Sequence, residues 1–115
     1  MIIDEQEFLA ILHELAIGNE EFFQFLEGKV KRYPLKDFGW GCFPILDEDN
    51  RIVDLRVLVP DFFDELCLRI NIHEYAHAFE LYNELGQVYV ENKETRENNA
   101  KEKELEFLRL ILKKN

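Results

Sequence analysis

The stretch DFFDELCLRINIHEYAHAFELYNELG, residues 61–86, decides the fold. Asp61 can cap a helix start and Gly86 can end it. Between them Phe62, Phe63, Leu66, Ile70, His73, His77 and Leu81 recur near one stripe at 3.6-residue spacing. The pattern predicts an amphipathic helix over 61–85. Inside it stands His73-Glu74-Tyr75-Ala76-His77. Residues four apart on a helix lie one turn apart on the same face, so both imidazoles can reach a single ion. Neutral imidazole is a good zinc ligand, and Glu74 beside the pair is placed to take a proton from water. Both rings fall on the apolar stripe, where an unpaired polar group is costly. Metal binding is therefore preferred here over a pair of hydrogen-bonded core histidines.

The segment ahead of this helix reads as a β-hairpin over 42–59. Residues 42–46 are apolar, Asp47-Glu48-Asp49-Asn50 is a turn, and Val53, Leu55, Val57 and Val59 then alternate with Asp54 and Arg56. Residues 29–40, broken by Pro34 and by glycines around Trp40, read as a connector. Further upstream, Asp4 and Glu7 open a helix over about 4–17, and Asn19 opens a short one that Gly28 ends. Downstream, Gln87–Val90 suit a short strand or an extended loop. Thr95 can cap a last helix over 96–113, with Ala100, Leu105, Phe107, Leu108, Ile111 and Leu112 inward.

Two histidines do not complete a site, because catalytic zinc takes three protein ligands and keeps a position for water. Glu97 is the preferred third ligand. Steps of 3, 11 and 14 from it reach Ala100, Leu108 and Ile111, so it shares the inward face, where a carboxylate needs a partner. Glu94 or Glu91 in the connector, and Glu80 one turn beyond His77, are the alternatives. His13, the four tyrosines and Trp40 are weaker candidates, and core or surface packing is the expectation for each; a phenol such as Tyr89 could also meet a developing oxyanion.

With His73-Glu74-x-x-His77 set 20 residues ahead of Glu97-x-x-Ala100, the chain resembles the gluzincin class of zinc metallopeptidases. It is similar in size to the stand-alone minigluzincins, and its strand-then-helix order and Glu-x-x-Ala are similar to the ImmA/IrrE metallopeptidase domain. The resemblance implies a zincin-like α+β fold, Zn2+ on His73, His77 and Glu97, Glu74 as general base, and a peptide or protein substrate lying against an edge strand that precedes the motif helix. Lys101 stands where thermolysin-like members carry an Asp, so the resemblance leaves the partner of His73 unassigned.

With 115 residues, 47% of them hydrophobic and ten of them Phe, the chain suits one domain with its own core. A net charge of −10 argues against a nucleic-acid backbone binder, which needs a basic face. No apolar run approaches the roughly 20 residues of a membrane span. The N-terminus lacks the pattern of a secretory signal, so a cytoplasmic location is expected. Cys42 and Cys67 show no Cys-x-x-Cys spacing and are expected as packed thiols. Residues 1–28 carry Asp4, Glu5, Glu7, Glu14, Glu20, Glu21 and Glu27 with no Lys or Arg. Solvated helix faces explain this. The competing possibility is an acidic interaction protein, metal-binding but idle or metal-free, that recruits a basic partner.

Overall fold

Asp4 Oδ1 accepts the Glu7 N–H at 2.8 Å and opens α1 (Glu5–Glu14), and Asn19 Oδ1 accepts the Phe22 N–H at 2.9 Å and opens α2 (Glu20–Leu26). Both caps are the residues expected from the sequence. A computed structural model describes residues 3–34, 40–61 and 64–114. The expected core roles of Phe62, Phe63 and the Ile111 and Leu112 side chains fall outside the described residues. The chain continues through β1 (Val30–Tyr33), β2 (Gly41–Leu46), β3 (Ile52–Pro60), α3 (Glu65–Asn83) and α4 (Lys93–Lys114), so that the described residues make a small α+β domain with four helices and a three-stranded mixed sheet.

The sheet corrects the expectation of a small antiparallel one. β2 pairs antiparallel with β3, as the hairpin reading requires, but β1 pairs parallel with β3 on its other side, giving the order β1-β3-β2. The strand ahead of the motif helix is therefore central and not an edge. Residues 30–33 form a strand and not a connector: they pair in register with Val57–Pro60, and the edge position leaves Lys31 exposed. Arg32 reaches across to donate to Asn71 Oδ1 at 2.9 Å and to the Tyr75 hydroxyl at 3.0 Å.

Leu55, Val57 and Val59 of β3 are fully buried, as the alternation implies, but Val53 is 52% exposed and Ile52 takes its place inside. The pairing slips by one between Ile45 and Leu46, which turns that end of the strand over. Val57 donates its N–H to the Lys29 carbonyl at 3.0 Å. A Val57→Pro variant is therefore expected to lose stability, by about 1–3 kcal/mol from the orphaned carbonyl alone, read as a lower urea midpoint.

α3 starts at Asp64, whose Oδ1 accepts the Cys67 N–H at 2.9 Å, and not at Asp61. It turns Leu68, Ile72, Tyr75, Ala78 and Leu81 into the core that the sheet, α1 and α2 complete. Leu66 and Leu105, both expected inside, are 67% and 52% exposed. α4 begins at Lys93, three residues before the expected start, so Thr95 and Glu94 lie within the helix. Ala100 and Phe107 are buried as expected. Residues 87–90 make only an isolated bridge, Val88 with Arg51. Cys42 and Cys67 are both free thiols. Among the described residues no helix is long and apolar enough to cross a membrane.

Candidate metal centre

The histidines sit beside the core stripe of α3, on the margin that faces α4, and are half-buried. α4 packs along α3, and this brings Glu97 to them. His77 Nε2 lies 3.0 Å from Glu97 Oε1, His73 Nε2 lies 3.1 Å from Glu97 Oε2, and the two Nε2 atoms are 3.1 Å apart. The three residues each present a ligand atom within 4.8 Å of the others. Electron-rich atoms held this close need either a proton or a cation among them.

Of the alternative third ligands, Glu80 is turned away to Arg96, Glu94 lies in the first turn of α4 outside the group, and Glu91 lines the nearby cleft. The structure thus brings together His73, His77 and Glu97, the preferred set.

His73 carries a second contact that the sequence reading missed. Its Nδ1 is 3.1 Å from Glu104 Oε2. A carboxylate accepts, so Glu104 favours a hydrogen on Nδ1, the tautomer that leaves the Nε2 lone pair for a cation between His73 and Glu97. Glu104 lies seven residues after Glu97, two turns along the same face of α4. The spacing that marked Ala100 and Leu108 as inward also marks Glu104.

Glu74 is 7% exposed, with Oε1 3.9 Å from His73 Nε2 and Oε2 buried without a hydrogen-bond partner. Burial pushes its carboxyl up to about 7, Glu97 and Glu104 push the same way, and His73 opposes them. Burial and the neighbouring His73 hold His77 below the ordinary imidazole value, against the pull of Glu97 and Glu80.

Beside this group a cleft of about 220 Å3 runs between β2 and α3, lined by Trp40, Phe43, Pro44, Glu74, His77 and Tyr89 among others. Burial drives the Cys42 thiol far above its usual pKa, with Glu74 adding and Arg96 opposing, so Cys42 is a neutral wall and not a thiolate. Tyr89 is the tyrosine at this cleft. Tyr75 meets Arg32, and Tyr82 packs with Phe22, Phe25 and Phe79. His13 packs edge-on to Phe23 in a separate groove. Compared with known proteins, the chain matches no family model, no curated protein and no solved structure.

Proposed function

We propose that this domain is a zincin-like, zinc-dependent peptidase of the gluzincin type, with His73, His77 and Glu97 as ligands and Glu74 as general base. One observation carries the reading: three donor groups converge within 4.8 Å, and a buried carboxylate oxygen with no other partner stands beside them. Two imidazoles and one carboxylate are the donor set of a catalytic zinc that keeps a position open. Bound there, zinc supplies a Lewis acid for a carbonyl oxygen and lowers the pKa of a coordinated water to about 7. Glu74 accepts a proton from the attacking water and passes it to the departing amine. Glu104 holds the His73 ring in the tautomer that leaves Nε2 free. Glu104→Ala is expected to weaken zinc binding by about 10- to 100-fold, read by competition with a chromogenic chelator.

The substrate platform moves from β3, which has no open edge, to β2. Val57 donates its N–H to the Lys29 carbonyl just ahead of β1, so its neighbours Arg56 and Leu58 face β2 and pair with Phe43 and Gly41. Cys42 and Pro44 lie between and after these, and their backbone groups face outward on the cleft side. An extended peptide can add there as a further strand, with its scissile carbonyl near the centre. The test is hydrolysis of an unstructured peptide by zinc-loaded protein, stopped by a chelator and restored by zinc. Methylating one substrate N–H that pairs with an outward carbonyl of β2 is expected to slow cleavage about tenfold, one lost hydrogen bond to the main chain. Zinc-loaded, folded protein that cleaves no peptide would leave metal binding without catalysis.

A basic partner is supported by a different feature, the groove between α1, α2 and β1. Its rim carries Glu5, Glu20 and Glu27 above half-buried Leu9 and Phe23. Protein that takes up no metal yet binds a basic peptide would favour that function over hydrolysis.

A further inference from the structure

The end of α3 and the start of α4 are joined by one guanidinium. Arg96 Nη1 donates to Glu80 Oε1 at 2.6 Å and to Glu84 Oε2 at 2.9 Å, while Nη2 donates to Glu84 Oε1 at 2.9 Å and to the Val90 carbonyl at 3.2 Å. The Arg96 side chain is 12% exposed, and its Cζ lies 5.2 Å from the centroid of the Tyr89 ring. Asn99 adds a bond to the other oxygen of Glu80 at 3.3 Å. A planar fork gripping two carboxylates fixes direction as well as distance, which an ammonium cannot do.

Two features give this clamp a bearing on the metal centre. Arg96 immediately precedes Glu97, which sits in the first turns of α4, where a helix frays most readily, and is 39% exposed. Glu80 stands three residues after His77 on the same helix, close enough in spacing to compete as a ligand, yet both its oxygens are engaged by α4 side chains. Such a partly buried ion-pair cluster adds little net stability, because desolvation offsets the attraction. Its effect lies in geometry.

We propose that Arg96 is a positioning residue that selects the third ligand. It holds the first turns of α4 against α3 so that Glu97 meets the two Nε2 atoms, and it ties Glu80 away from them. This rests on the metal-binding reading; Arg96 lines the cleft, but its fork is engaged by Glu80 and Glu84 and not by the His73, His77 and Glu97 group.

Cobalt(II) titration of the whole chain tests it, because the visible absorption of cobalt reports the ligand set directly. Wild type, Arg96→Met, Arg96→Lys, Glu80→Gln, Glu97→Ala and the double variant Arg96→Met/Glu80→Gln are compared, each with a thermal melt. Arg96→Met is expected to bind cobalt about tenfold more weakly and to shift its absorption toward that of Glu97→Ala. Adding Glu80→Gln to Arg96→Met is expected to change the spectrum again, while Glu80→Gln alone leaves it as in wild type. Arg96→Lys keeps the charge and loses the fork, so it covers the case in which Arg96→Met does not fold. A purely structural role would lower the melting temperature and leave the spectrum unchanged. A folded Arg96 variant with wild-type spectrum and affinity overturns the proposal, as does a spectral change in Glu80→Gln alone. Wild type that takes up no cobalt or zinc removes the metal reading itself, a failure visible before any variant is compared.

Discussion

Glu74→Gln is expected to keep one zinc per chain and to lose hydrolysis by a factor of about 10^2–10^4, the usual worth of a positioned proton acceptor. The amide matches the carboxylate in shape, so a site that is 7% exposed need not repack around it. What disappears is basicity. The same burial that isolates Oε2 raises the carboxyl toward neutrality, and a dication nearby favours the charged form. The loaded site therefore holds a carboxylate ready to take a proton, and the amide removes that capacity alone. The measurement pairs metal content with turnover of an unstructured peptide. A Glu74→Gln protein that cleaves at the wild-type rate would remove Glu74 from its role, and one that also lost zinc would make it a ligand.

His73→Ala and His77→Ala are each expected to weaken zinc binding by more than about 100-fold, beyond what loss of an outer partner costs. Each leaves two donors where three converge. Both rings lie at the α3–α4 margin and not among Leu68, Ile72 and Ala78, so the variants are expected to stay folded. Glu97→Ala is expected to share the loss and Glu94→Ala to escape it. Zinc content after dialysis, measured with the far-ultraviolet circular dichroism of each variant, checks all four. Retention by Glu97→Ala with loss in Glu94→Ala or Glu80→Gln would move the third ligand.

What could be read from the chain before its structure follows from which signals are local. The caps at Asp4 and Asn19, the hairpin turn and the i,i+4 histidines each lie within a few residues, and each stands where the sequence indicates. Glu97 was reachable because helical spacing tells which carboxylate faces inward. Glu104 obeys the same spacing, but nothing local marks it as the partner of His73, and position 101, one turn past Glu97, carries an exposed Lys. β1 was hidden because its partner is 27 residues away and its pairing is parallel. Four residues with two cations carry no alternation strong enough to announce a strand. Leu66 and Leu105 misled for a simpler reason. Periodicity shows which face of a helix is apolar, but not how far along the helix the neighbours extend.

Pro44 has a consequence for how copies of this chain meet. Open sheet edges invite a second identical edge, and that pairing extends into fibres when every position offers a donor. On the outward side of β2, Pro44 has no N–H to give, and its place there costs the ladder with β3 nothing. The rim beside the cleft is thus interrupted at Pro44. A rim interrupted in this way is a poor template for a ribbon of identical strands. With Phe43 and Ile45 exposed on the same strand, the missing N–H of Pro44 works against edge-to-edge pairing of copies through this rim.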